Sequence, residues 1–223
     1  MTSLLRAAAT AAVLFLWSAA GAWASADSQG LERLDPGTRA AVTSIVEEAR
    51  KDALPTQPLV SKAIEGATKG ASGERIVQAV RAYAEACRHA RDAMGKESTE
   101  AEIVAAAGAL QGGVPPDTLS HLRSARPRES LVVPLVVLSD LVARHVPVSV
   151  ASVAVLAPTR AGAPDADLLV LRERVEKDIR SGVPPGSAAS LQSRAWLSAR
   201  RWQVSSETKN ETPLSKSPRR STP

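Results

Sequence analysis

The chain is poor in the residues that carry most protein chemistry. It has one cysteine and three histidines among 223 residues. A single cysteine excludes an intramolecular disulfide, so the fold has to be held by its core. The histidines, His89, His121 and His145, are far apart, and no cysteine pair or His-Glu-x-x-His pattern indicates a zinc site. We therefore expect no metal and no cofactor.

Common catalytic motifs are missing as well. The chain has no Gly-x-Ser-x-Gly nucleophile elbow and no Walker or dinucleotide glycine pattern. Ser206 and Lys209 have a Ser–Lys spacing, but they lie in a C-terminal segment that we predict to be disordered. The sequence indicates a protein that is not an enzyme. An enzyme with an unrecognised site stays open as an alternative.

Aromatic residues are scarce, and this bears on nucleic-acid binding. Only Tyr83, Trp196 and Trp202 follow residue 26. Platforms that bind single strands need several exposed rings for base stacking. Gly70-x-x-Gly73 has the spacing of a KH-domain loop, but we find no strands beside it and interpret it as a helix corner. We expect no nucleic-acid partner.

The N-terminus has the pattern of a secretory signal. Arg6 provides the positive charge, Ala7 to Trp17 is apolar, and small residues follow, with cleavage after Ala24 or Ala26. We predict a signal peptide over 1–26 and export to the periplasm or the medium. An uncleaved membrane anchor is the alternative. No later apolar run is long enough to span a bilayer, so no transmembrane helix is expected after cleavage.

The net charge of +5 is confined to the C-terminus. Asp27 to Ser190 holds 20 basic and 21 acidic residues, whereas Leu191 to Pro223 holds seven basic and two acidic residues. From about Gln203 the composition predicts a disordered basic tail over 203–223. Basic residues beside tryptophans suit attachment to an anionic lipid or polymer. The candidate contact residues are Arg194, Trp196, Arg200, Arg201 and Trp202.

A short corner motif recurs along the rest of the chain. Gly-Val-Pro-Pro occurs at 113–116 and 182–185, with looser copies near Pro55, Ser72 and Pro147. A glycine just past a helix can adopt the left-handed conformation that pairs the last carbonyls, and proline suits the first helical turn. Each motif therefore predicts the end of one helix and the start of the next.

The segments between these corners have helical periodicity. Asp35-Pro36 and Thr99-x-x-Glu102 predict helix starts. The 131–138 segment is β-rich in propensity, but Pro134 and the later spacing favour a buried, central helix. After this helix we predict a shorter helix over Val148–Leu156 and a loop over Thr159–Pro164. Asp165 is predicted to cap the next helix, and a last helix carries Ala188, Leu191 and Ala195.

We therefore predict an all-α domain over 35–202, preceded by a short lead over 27–34. It comprises about nine short helices joined by Gly/Pro corners. Successive corners from Ser72 to Pro184 are 43, 32 and 37 residues apart, which is the range of two-helix repeats. An irregular helical bundle and a short helical-repeat solenoid both remain open.

Two further features bear on partners. Lys62, Glu65 and Lys69 have the spacing of a paired helix face, and with Gly66 between them they are candidates for contact with a protein partner. Cys87 lies on an apolar stripe, which favours burial over an intermolecular disulfide. The sequence as a whole predicts an exported, non-catalytic interaction or scaffold protein of the cell envelope, with a protein partner of unknown identity.

Overall fold

The computed structural model describes residues 30–210, with side chains through residue 202. The predicted signal peptide and the end of the tail, 211–223, lie outside this range. Residues 30–210 form helices and no strands, so the all-α prediction is confirmed. The helices are α1 (Pro36–Lys51), α2 (Gln57–Thr68), α3 (Gly73–Met94), α4 (Glu100–Gln111), α5 (Pro116–Ala125), α6 (Val132–Ala143), α7 (Val148–Arg160), α8 (Asp165–Arg180) and α9 (Pro185–Asn210).

The chain divides into two compact units, with the boundary inside α3 between Glu85 and Ala86. In the first unit, Asp35 caps α1 by accepting a hydrogen bond from the Thr38 amide at 3.0 Å, as predicted. Gly66 on α2 admits the side chain of Ile76, because a Cβ there would lie 2.9 Å from the Ile76 Cγ1. The small residue thus allows close packing between α2 and the start of α3.

Six helices end in the same Schellman motif. In α4, for example, the Gly113 amide donates to the Leu110 carbonyl at 2.9 Å, and the Val114 amide donates to the Ala109 carbonyl at 3.1 Å. The motif pairs carbonyls that the end of a helix would otherwise leave without donors. The left-handed residues of these six motifs, within residues 30–210, are Ala53, Gly70, Gly113, His145, Gly162 and Gly182.

Two of these corners use a residue other than glycine. Ala53 has φ 53° and His145 has φ 64°. Their Cβ atoms crowd the backbone in this region, so each corner costs more than a glycine would. The amide of the residue after each one still closes the motif, from Leu54 to Ala49 and from Val146 to Leu141. Buried Leu54 and Val146 anchor these corners in the core.

The second unit repeats one arrangement three times. α4 and α5, α6 and α7, and α8 and α9 are each joined by a left-handed residue followed by Val-Pro, at 113–115, 145–147 and 182–184. α6 contacts both α4 and α8, while α7 contacts both α5 and α9. The first helices of the pairs thus pack on one another, and so do the second helices. α6, which also contacts α7, is the central helix that the sequence predicts.

Several predicted boundaries differ from the structure. α7 continues to Arg160, so Thr159 is helical rather than part of a loop, and Pro158 lies inside the last turn of this helix. Asp165 does not cap α8, because Pro164 occupies the cap position and Asp165 is the first helical residue. α9 runs to Asn210, past the predicted domain end at Trp202.

Glu102 is a buried carboxylate that ties three segments together. It closes the predicted capping box with Thr99, and its Oε1 accepts hydrogen bonds from Arg123 Nη2 at 2.6 Å and from the Leu131 amide at 2.9 Å. Burial alone raises the pKa of Glu102. The hydrogen bonds from Thr99, Leu131 and Arg123 outweigh it and hold that pKa below its usual value. Glu102 therefore joins α4, α5 and the start of α6.

Arg126 is the second buried charge of this region. Its Nη1 lies 2.5 Å from Asp165 Oδ1, and its Nη2 donates to the Ala163 carbonyl. Asp165 stands at the start of α8 and Ala163 in the preceding corner. Arg126 therefore connects the end of α5, where the Schellman motif is missing, to the beginning of the third helix pair.

The corners predict opposite effects for two glycine substitutions. Gly182→Ala should lower the free energy of unfolding by roughly 1 to 2 kcal/mol, because φ is +91° there and a Cβ meets nothing within 4 Å. Gly108→Ala, inside α4 and equally unobstructed, should raise it by roughly 0.5 to 1 kcal/mol. Denaturant unfolding of both variants measures this, and equal effects would refute the proposed role of the corner conformation.

Removing the Glu102 carboxylate should destabilise the protein at neutral pH. We expect Glu102→Ala to cost about 3 kcal/mol, since it leaves Arg123 and the Leu131 amide without their acceptor. Glu47→Ala, which breaks an exposed pair with Arg50, should cost less than about 1 kcal/mol.

The effect of Glu102→Ala should also depend on pH. Because the folded pKa lies below the unfolded one, the stabilisation by Glu102 is complete above the unfolded pKa and is lost as the pH falls through the folded pKa. The difference between wild type and Glu102→Ala in denaturant unfolding should therefore shrink in acid. A constant difference down to about pH 3 would contradict it.

Candidate functional site

The predicted partner face on α2 is an exposed set of ion pairs. Glu65 lies between the two lysines: Lys69 pairs with its Oε1, and Lys62 Nζ lies 3.7 Å from its Oε2. The hydrogen bond from Lys69, with the charges of both lysines, lowers the pKa of Glu65. The three charged groups satisfy one another in solvent, where such pairs contribute little to stability. They remain a candidate contact face.

The residues predicted for anionic contact all lie on α9, but on different sides of it. Trp196 and Arg200 are four residues apart and line the groove between α8 and α9. Arg194 and Arg201, seven residues apart, share another side. Trp202 is separate from both pairs and is 80% exposed. The structure therefore does not gather the five residues into one site.

The groove between α8 and α9 has a volume of about 270 Å³. Trp196 is fixed in it, because the indole Nε1 donates to Asp167 Oδ2 at 2.9 Å. Gln192 is fixed in the same way by a hydrogen bond to Asp178 Oδ2 at 2.6 Å. A tryptophan held by a neighbouring helix is a packing residue more than a free anchor. Sequence alone could not find this bond, since Asp167 precedes Trp196 by 29 residues.

A second groove lies between α7 and α9 and has a volume of about 350 Å³. Its α7 wall includes Val153, 65% exposed, above the small side chains of Ala154 and Ala157. Its α9 wall includes Leu197 and Arg194. No ion-pair partner for Arg194 occurs within the described part of the chain. The groove thus combines an apolar wall with one available guanidinium, and no motif in the sequence indicated this groove.

The three helix pairs can be aligned by their corners, and the last one differs from the others. Eight residues before the left-handed residue, α6 has the fully buried Val137, whereas α8 has the exposed Arg174. Four residues before it, α6 has the fully buried Leu141, whereas α8 has Asp178. Charged or hydrogen-bonded groups therefore replace apolar side chains on the last of the first-position helices.

The second helices of the pairs follow a different rule. Seven residues after the corner proline, α5 has Leu122 and α7 has Ala154, both buried. At the same position α9 has Leu191, which is 58% exposed. Of the three residues that the sequence analysis places on this helix, Ala188 is buried, whereas Leu191 and Ala195 are exposed. The reason is that no further helix of the described chain packs on that side of α9.

The chemistry-bearing residues do not converge. Within the described ranges, no group of three or more His, Cys, Asp and Glu side chains is placed to hold a metal ion. His89, His121 and His145 are all exposed. Over the same ranges, no helix has both the length and the apolarity needed to cross a bilayer.

Comparison with known proteins gives no further constraint. No protein-family model, curated protein or solved structure matches the chain. Function is therefore inferred from the geometry of this chain.

Cys87 provides a test of how tightly α3 is packed. Its side chain is fully buried, and burial raises the pKa of its thiol to about 11. A thiol reagent should leave the folded protein unmodified at pH 9 and react at once after unfolding in guanidinium, because the thiolate is the reactive form. Rapid labelling of the folded protein, measured by mass spectrometry, would show that the thiol is accessible.

Proposed function

We propose that the protein is an exported, non-catalytic helical-repeat protein that binds another protein of the cell envelope. The proposed architecture of residues 100–210 is a short open solenoid of three helix pairs. The observation that carries it is the packing of each pair's first helix on the next first helix, and of each second helix on the next second helix. Repeat proteins of this kind present extended binding surfaces.

Two details support the repeat interpretation. The same left-handed residue and Val-Pro sequence joins the helices of all three pairs, so the pairs share one internal geometry. Arg174 and Asp178 replace two buried apolar residues of α6, and such a gain of polar groups is expected in the terminal repeat of an array. A repeat array needs about three units to bury its core, which is the number present.

The groove between α7 and α9 is the partner site that we favour. The exposed Val153 and the small side chains below it suit an apolar side chain, and Arg194 at the edge suits a nearby carboxylate. The partner is therefore a protein segment that carries an apolar residue close to an acidic one. The ion-paired face at Lys62, Glu65 and Lys69 is the competing location.

A second candidate function is attachment of the C-terminal region to an anionic surface, either lipid or polymer. No acidic residue occurs between Asp178 and Glu207, while Arg194, Arg200 and Arg201 fall in that interval. The exposed Trp202 lies in the same part of α9. This function is compatible with the first, because attachment would hold the repeat domain near its partner.

Site-specific crosslinking tests the partner groove. A photo-reactive amino acid at Val153 should capture one discrete protein in the exporting cell, whereas the same group at Val136 should not. Val136 is the matched control, being 43% exposed on α6. Each substitution is at the surface and should leave the helical content unchanged by circular dichroism.

The outcomes separate the two locations. The same crosslinked proteins at Val153 and at Val136, or no protein adduct at Val153, would overturn the groove assignment. Alanine at Lys62, Glu65 and Lys69 should leave the Val153 adduct intact; loss of the adduct would place the partner on α2 instead.

A further inference from the structure

α9 carries an exposed stripe formed by Leu191, Ala195, Ser198 and Trp202. The spacing of four, three and four residues puts them on one side of the helix. All four are exposed, and the two large ones, Leu191 and Trp202, are 58% and 80% exposed. Ala195 also lines the groove between α8 and α9, whereas Leu191, Ser198 and Trp202 line neither of the two grooves.

The last helix pair, α8 and α9, differs from the other two pairs in which of its side chains are charged and which are exposed. α8 has Arg174 and Asp178 at positions that are apolar and buried in α6, whereas α9 has Leu191, which is apolar but exposed, at a position that is buried in α5 and α7. An exposed apolar residue on α9, beside charged residues on α8, indicates that another surface covers α9.

The charges around the stripe define what that covering surface is. Arg194 and Arg201 lie along one edge of the stripe, and Arg201 contacts Ser198 Oγ at 3.5 Å. The first carboxylate in the sequence of α9 is Glu207. After it the chain has four basic residues and one acidic residue, Glu211; the basic ones are Lys209, Lys216, Arg219 and Arg220. The complementary surface is therefore anionic.

A second copy of the chain does not fit this description. Two copies that meet antiparallel through their stripes would have Arg194 and Arg201 of both copies along the same edge, where like charges would repel. A protein partner would need pockets for its anchoring side chains, and the stripe is a convex helix face. A flat anionic lipid surface needs no pocket, and tryptophan and leucine enter its headgroup region while arginines pair with phosphates.

We propose that the α9 stripe is a docking site for anionic lipid, with Leu191 and Trp202 at the level of the headgroups and Arg201 bound to a phosphate, while Arg194 faces the groove between α7 and α9. This rests on the proposed attachment of the C-terminal region to an anionic surface and makes it specific. Two large apolar side chains bind weakly alone, and the basic tail supplies the second attraction that stable membrane binding requires.

The test is sedimentation of the purified full chain with vesicles of phosphatidylglycerol and phosphatidylcholine, or of phosphatidylcholine alone, at low salt. Replacing both Leu191 and Trp202 by Gln should reduce partitioning to the anionic vesicles by about tenfold or more. The control variant carries Val136→Gln and Val170→Gln, which change two valines elsewhere that are each 43% exposed. This variant should bind like wild type. All chains carry the same leader, so any contribution from it cancels.

A third variant separates this inference from the function on which it rests. It replaces Lys209, Lys216, Arg219 and Arg220 by Gln. If this variant loses binding while the Leu191/Trp202 variant keeps it, the tail attaches the protein and the stripe assignment is wrong. If wild type does not prefer anionic vesicles, both the stripe and the attachment are wrong.

Two other results would also overturn the assignment. Sedimentation of wild type as a dimer that the Leu191/Trp202 variant abolishes would show that a second copy covers the stripe. A photo-reactive group at Trp202 that captures a protein instead of lipid, in exporting cells, would show a protein contact. The result that supports the proposal is a blue shift of Trp202 fluorescence, obtained by subtracting the spectrum of Trp202→Phe, on anionic vesicles alone.

Discussion

The left-handed corner is the constraint on which the rest of the structure depends. Helices as short as α4 and α5, with 12 and 10 residues, are marginal alone and need tertiary packing. Packing in turn needs each helix to leave the corner at a fixed angle. Within residues 30–210, six Schellman motifs provide that angle, and at four of them the residue after the left-handed position, such as Val114 or Val146, is buried and fixes the corner to the core.

The junction between α5 and α6 shows what happens where this corner is missing. α5 ends at Arg126 with an extended backbone, φ −133° and ψ 77°, and no Schellman pair. Two buried charges replace it: Glu102 binds the amide that begins α6, and Arg126 binds the segment that begins α8. The same fold is therefore held by local backbone geometry at most junctions and by long-range ionic contacts at this one.

The sequence predicted what is decided locally. The cap at Asp35, the box at Thr99 and Glu102, the helix through Pro134 and the apolar stripe containing Cys87 depend on residues a few positions apart, and the structure confirms them. It missed the contacts of Glu102 with Arg123 and of Trp196 with Asp167, which join residues 21 and 29 positions apart. It also did not reveal that Leu191 is exposed, because spacing shows which residues share a side but not whether a neighbour covers that side.

The alternating contacts between helices two apart have a consequence for how residues 86–210 reach their native state. The main contacts of each helix are with helices one or two places along the chain, and the pair of Arg126 with Asp165 is a longer-range exception. Loop-closure entropy is then small, and low contact order favours fast folding. If the chain is threaded out of the cytoplasm from its N-terminus, as proposed above, each hairpin can form as soon as it emerges.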